Sequence, residues 1–167
     1  MNPNMTPIDW ARRPIDHYAD FAGRAPRAEY WWFFLAIVVV YIVFSIIESI
    51  TGLKGMVGGV YGPLTLLLWL GTLVPCLAVS VRRLHDTGRS GWWMLLIVPY
   101  LVSAILLLMA IMAGSMTGLG SAGILGIIGL ICCIALLVFM VLPSTPGDNL
   151  YGPNPYGETA ATIPANS

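Results

Sequence analysis

Residues 90–147 read SGWWMLLIVPYLVSAILLLMAIMAGSMTGLGSAGILGIIGLICCIALLVFMVLPSTPG, with no Asp, Glu, Lys, Arg or His anywhere in the run. A soluble core never needs so long an uncharged stretch, whereas two membrane crossings joined by a short turn do. The reading predicts one crossing from Trp92 to about Met112 and another from about Ala122 to Leu142. Gly114, Gly118, Gly120 and Gly123 are expected to form a flexible turn between them.

The rest of the chain fits the same solvent. Apolar residues make up 57% of the 167 and charged residues 10%, against about 45–50% and about 25% in soluble domains. Upstream, Tyr30–Ile47 is long enough to cross a hydrocarbon core of about 30 Å. A further span lies within Met56–Val81. Gly58, Gly59, Gly62 and Pro63 place its helical start near Pro63, since proline suits a first turn. No cleavable signal peptide is expected, because the first apolar run is too long and lacks a cleavage pattern. Net charge is zero, and no basic block tracks a phosphate backbone, so nucleic acid is not an expected partner. Cys76, Cys132 and Cys133 lie inside apolar runs and read as packing residues.

Orientation follows from the basic residues. Arg12, Arg13, Arg24 and Arg27 precede the first span, and Arg82, Arg83 and Arg89 sit between the second and third. Lys54 alone lies in the first connection. The positive-inside rule places the N-terminus and the second connection in the cytoplasm, and four spans return the C-terminus to that side. Trp31 and Trp32, and again Trp92 and Trp93, follow the two basic clusters and read as interface anchors. Pro14–Ala22 is expected to be a short helix, with Pro14 in its first turn and Gly23 at its stop, lying on the membrane surface, or else an ordered linker. Residues 1–13 and 157–167 are expected to be flexible tails, flanking one transmembrane domain over 14–156.

Three polar motifs remain: GRAPRAEYWW at 23–32, RRLHDTGRSGWW at 82–93 and PGDNLYGPNPY at 146–156. Together they resemble the domain-of-unknown-function 805 family, bacterial inner-membrane proteins of the YhaH type. The resemblance implies an inner-membrane location and supplies no activity. Leu150 stands where the family pattern leads one to expect a basic residue.

With four spans all three motifs share one face, gathering Arg24, Arg27, Glu29, Arg82, Arg83, His85, Asp86, Arg89 and Asp148. Two readings stay open. The arginines either fix topology and snorkel to headgroups, or bind an anionic lipid, a nucleotide or a partner through their planar forks. In the second reading Glu29 and Asp86 orient the arginines and leave at least one guanidinium unpaired. Catalysis lacks a basis: His85-Asp86 has no further metal ligands, Ser90 no nucleophile elbow, and no phosphate loop occurs. No cofactor or metal is expected. Transport lacks ionisable residues within the spans, Glu48 being read as a solvated helix end. Pro75 and Pro99 are read as sitting within spans two and three.

Small residues recur at helical spacing, Ala122, Gly126, Gly129 and Cys133 on the fourth span and Gly71, Pro75 and Ala78 on the second, which reads as close helix packing. The expectation is an all-α membrane bundle of about four transmembrane helices with a short interfacial helix before them. It is expected to bind anionic lipid or a partner at its cytoplasmic face without catalysis. The alternative is a small transporter or pore subunit acting as a homo-oligomer.

Overall fold

A computed structural model describes residues 5–57 and 61–156. The expected tail at 157–167, the first four residues, Gly58 and Gly59 lie outside the described residues. Five α-helices follow one another: α1 (Pro7–Asp16), α2 (Arg27–Thr51), α3 (Pro63–Asp86), α4 (Val98–Ala113), entered through a 3₁₀ segment at Gly91–Ile97, and α5 (Met116–Val141). Four are long and apolar enough to cross a membrane: α2, α3, α4 with its 3₁₀ lead-in, and α5. No strand occurs among the described residues, only isolated bridges at Val57–Tyr61 and Asn149–Gly152.

The first helix begins and ends earlier than the sequence suggested: of the expected Pro14–Ala22 only residues 14–16 are helical, and Gly23 stops no helix. Residues 7–13, expected as tail, are helical, and Pro14 lies inside α1 near its end rather than at its start. A capping box decides this: the Thr6 hydroxyl accepts from Asp9 N, the Asp9 carboxylate accepts from Thr6 N, and Pro7 fills the first turn. Two orphan amides are thereby satisfied. The signal was missed because the box carries Asp in place of the usual Glu or Gln.

The start of α3 at Pro63 is as expected. Its Pro75 has no N–H to give to the Gly71 carbonyl one turn back. Tyr18 fills that vacancy, its hydroxyl donating to Gly71 O at 2.7 Å. The chain between α1 and α2 is thereby pinned along α3. At its other end α3 closes with left-handed Gly88: Gly88 N donates to His85 O and Arg89 N to Leu84 O, the paired bonds of a Schellman stop.

Pro99 occupies the first turn of α4; it does not interrupt the third span. The residues before it coil more tightly as a 3₁₀ segment from Gly91 to Ile97. The connection between α4 and α5 shrinks to Gly114 and Ser115. Gly114 turns left-handed, and the Ser115 hydroxyl accepts from Gly118 N to cap α5. Gly118, Gly120 and Gly123, expected in a flexible turn, are helical.

The α4–α5 pair packs through small residues. A Cβ at Gly129 would lie 2.6 Å from the Tyr100 backbone, while one at Gly126 would meet only Ser103, at 3.7 Å. Ala122 is buried on the same face, and Cys133 is half-buried. Lipid competes equally for apolar contact, so close backbone approach is what holds such a pair together. On α3, Pro75 and Ala78 are buried, whereas Gly71 has open space at its Cβ position and contributes its carbonyl instead. Two hairpins result, α2–α3 with α1 alongside, and α4–α5. α4 touches neither α2 nor α3, so the hairpins meet through the 3₁₀ segment and α5.

Candidate functional site

The three polar motifs converge at one end of the bundle, at the end of α3 and the starts of the 3₁₀ segment and α2. Asp86, in the last turn of α3, is fully buried. Its carboxylate accepts from Arg24 Nε at 3.0 Å, from Arg83 Nη1 one turn back, and from the Ser144 hydroxyl. The remaining donors of both arginines find carbonyls. Arg24 Nη1 donates to Gly147 O at 2.8 Å and Nη2 to Thr145 O at 2.7 Å. Arg83 donates from Nε to Met140 O at 3.1 Å and from Nη2 to Leu142 O, while Arg27 reaches Val141 O at 3.3 Å. These are the orphan carbonyls at the end of α5, a helix with no basic residue of its own in its last turn. Guanidiniums from elsewhere in the chain close it and complement its dipole.

The same knot folds the segment after α5. Thr145 N donates to Asp86 O at 2.9 Å, and the Asn149 side chain donates to His85 O at 2.9 Å. Tyr151 stacks on His85, ring centroids 3.9 Å apart. His85 Nδ1 lies 3.2 Å from Gly23 O; a carbonyl only accepts, so that nitrogen carries the proton. Asp148 is exposed and accepts from Asn154 N.

A second buried carboxylate repeats the construction incompletely. Glu29, in the first turn of α2, lies between Arg82 Nη1 at 2.8 Å and Arg13 Nε at 3.3 Å. Like Asp86 it has a guanidinium on each side. Unlike Asp86 it has no aligned hydrogen bond: both its oxygens, and Nε and Nη2 of Arg82, lack a hydrogen-bond partner among the described residues. Those two nitrogens form one edge of the guanidinium, with parallel N–H bonds suited to two oxygens of one anion. Arg82 is 3% exposed and forms part of the wall of a cavity of about 370 Å³, with Arg13, His17, Arg24, Tyr151 and Asn154. His17 Nδ1 lies 3.0 Å from Arg13 O, so its proton is on Nδ1 and Nε2 is free of that bond.

The remaining candidates sit apart from this cavity. Arg89 lies over the Phe139 ring at 4.1 Å and donates to Thr87 O. Trp93 packs edge-on against Phe139, and Trp31 edge-on against Tyr30 and Phe34. Trp32 and Trp92 are exposed. Among the described residues, no group of three His, Cys, Asp or Glu could hold a metal. Arg24, Arg82 and Arg83 are buried against protein; of the arginines expected to snorkel, Arg27 keeps an exposed position.

Glu48 requires correction. Read as a solvated helix end, it is 1% exposed. Its carboxylate accepts from Thr65 N and the Thr65 hydroxyl, each at 2.9 Å, capping α3 from the end of α2. An anion at a helix N-terminus meets free amides and the positive end of the dipole. Gly62 makes room for it: a Cβ there would collide with the carboxylate.

Sequence reasoning also missed Arg13 and His17 as members of the site. Had α1 been started at Pro7, their four-residue separation would have placed them on one helix face.

Residues 18–153 match the family model described as protein of unknown function (DUF805). The inner membrane protein YhaH of Escherichia coli (strain K12) is 30% identical over 149 residues, covering 89% of this chain and 97% of YhaH. The inner membrane protein YhaI of the same strain is 40% identical over 101 residues, covering 60% of this chain and 80% of YhaI. No solved structure matches.

Proposed function

The chain belongs to the DUF805 family, and on that premise we propose that it is a multi-pass inner-membrane module whose arginine-bearing, cytoplasmic end binds an oxyanion. The inner-membrane location follows its relatives, YhaH and YhaI. The cytoplasmic side follows the arginines flanking the first span and those between the second and third. The anion is carried by a lipid headgroup or a partner.

One observation carries this reading: Arg82, a residue of the cavity wall, has a buried Nε/Nη2 edge without a hydrogen-bond partner among the described residues. Arg cannot shed its proton, so a buried guanidinium must be answered by an acceptor. At Asp86 every guanidinium edge is answered within the protein. At Glu29, Arg13 and Arg82 together exceed the one carboxylate by a formal charge, and an edge remains. An oxyanion in the cavity completes the second knot as the α5 carbonyls complete the first.

The test is Arg82→Lys alone. It keeps the charge that sets topology and the contact with Glu29 but removes the fork. Changing Arg83 as well would open the end of α5 and confuse binding with folding. Affinity for phosphatidylglycerol in nanodiscs is expected to fall roughly tenfold to a hundredfold, the worth of a charge-assisted hydrogen bond. Unchanged affinity with topology intact would leave Arg82 as a structural residue and end the proposal.

A further inference from the structure

We infer that the oxyanion arrives on a phospholipid, entering the Arg82 cavity sideways from the bilayer with its chains against Ile15, Tyr18 and Phe21. This rests on the oxyanion reading above and adds the source of the anion. The depth of the segment linking α1 to α2 carries it. Tyr18 donates to the carbonyl of Gly71. Gly71 lies about 22 Å along α3 from Asp86 and about 12 Å from Pro63 at 1.5 Å per residue. A helix of this length spans a hydrocarbon core of about 30 Å, so the Tyr18 ring reaches well below the headgroups. Its neighbours on the same stretch, His17, Asp20, Ala22, Gly23 and Arg24, line the cavity. One side of the cavity is therefore the segment that Tyr18 pins along α3, and the other is Tyr151–Pro155 after α5.

Side-chain chemistry agrees with that depth. Ile15 is 58% exposed, and Tyr18 and Phe21 are each 43% exposed, on the stretch that gives His17, Asp20 and Ala22 to the cavity wall. For a water-soluble anion, three exposed apolar side chains on this stretch would serve nothing. For a lipid they are the surface on which the first methylenes rest. Arg82 also points the right way, because side chains on a helix lean toward its N-terminus. From α3 that direction runs into the membrane, carrying the guanidinium down toward the phosphate level.

The experiment compares one headgroup with and without its chains. Full-length protein in zwitterionic nanodiscs is titrated with phosphatidylglycerol, and displacement is attempted with glycerophosphoglycerol, the same diester lacking acyl chains. The lipid is expected to bind and the soluble diester not to displace it at a hundredfold molar excess. Ile15→Ser with Phe21→Ser is expected to weaken lipid binding roughly tenfold, from lost apolar contact, with Arg82 untouched. Displacement by the soluble diester, or full lipid affinity in the double variant, overturns the lipid source while leaving oxyanion binding in place. Binding of neither form overturns both. Arg82→Lys separates the two failures, since it weakens any oxyanion whatever carries it.

Discussion

At the scale of single residues, three carboxylates organise the molecule, each by a different means. Asp86 is matched by two arginines and a serine, Glu29 by two arginines without alignment, and Glu48 by a helix terminus. Removing the charge at Asp86 leaves Arg24 and Arg83 buried and unanswered. Asp86→Asn is expected to destabilise the protein by about 3–5 kcal/mol, read as a lowered thermal midpoint in detergent. Glu48→Ala removes a cap and is expected to cost about 1–2 kcal/mol, and Gly62→Ala to fail comparably by evicting the same carboxylate. Asp9 is set below its ordinary carboxylate range, chiefly by the Thr6 hydroxyl. A folded-state value lowered in this way means that the capping box contributes above the ordinary Asp pKa and is lost as pH falls through the lowered one. Amide exchange in the first turn of α1 is expected to accelerate only in that acid range. Asp86 and Glu29 could be picked out in the sequence because acidic residues are not needed to fix topology. Glu48 could not, since its partner Thr65 lies beyond a connection whose length hides which helix end comes near.

At the scale of elements, the small-residue spacing on α5 was visible in the sequence, but the unequal weight of its members was not. Gly129 abuts backbone, which cannot yield, whereas Gly126 meets one serine side chain and Gly123 meets nothing. Gly129→Ala is expected to splay α4 from α5, lowering the thermal midpoint and membrane yield. Gly123→Ala is expected to be tolerated, and Gly126→Ala to fall between them. Equal behaviour of the three would mean that the α4–α5 contact does not rest on close approach at Tyr100. The spans themselves were legible because hydrocarbon imposes length and apolarity on every crossing. Boundaries were less so. Gly118, Gly120 and Gly123 are usual turn formers, yet in lipid the intrahelical hydrogen bond outweighs glycine's freedom. Pro99 lies inside the third span as read, but in the first turn of α4 after a 3₁₀ lead-in.

At the scale of the whole molecule, two hairpins are tied at one end and separate along most of their length. The tie consists of all three polar motifs, which sequence proximity to the same face anticipated without saying who would meet whom. Reporter fusions after Lys54 and after Gly114 are expected to report the periplasm, and fusions after Arg89 and after Tyr156 the cytoplasm. A periplasmic signal after Tyr156 would mean that α4 and α5 do not both cross. The pairing of Arg24 with Thr145 and Gly147, and of Arg83 with the α5 carbonyls, is beyond pattern reading, because it depends on where a helix ends in space.

That tie also sets a schedule. Asp86 is followed by its Ser144 partner only 58 residues later, and synthesis proceeds at about 5–20 residues per second. For several seconds Arg24, Arg83 and Asp86 have been made while the residues that receive the outer guanidinium nitrogens have not. The residues that quiet them are made only after the last span. A chain truncated after Val141 would therefore keep all four spans and leave its polar end unsealed. Such a product should reach the membrane in normal amount and then disappear under pulse-chase, as the inner membrane's proteases find the end that Thr145 and Gly147 would have covered.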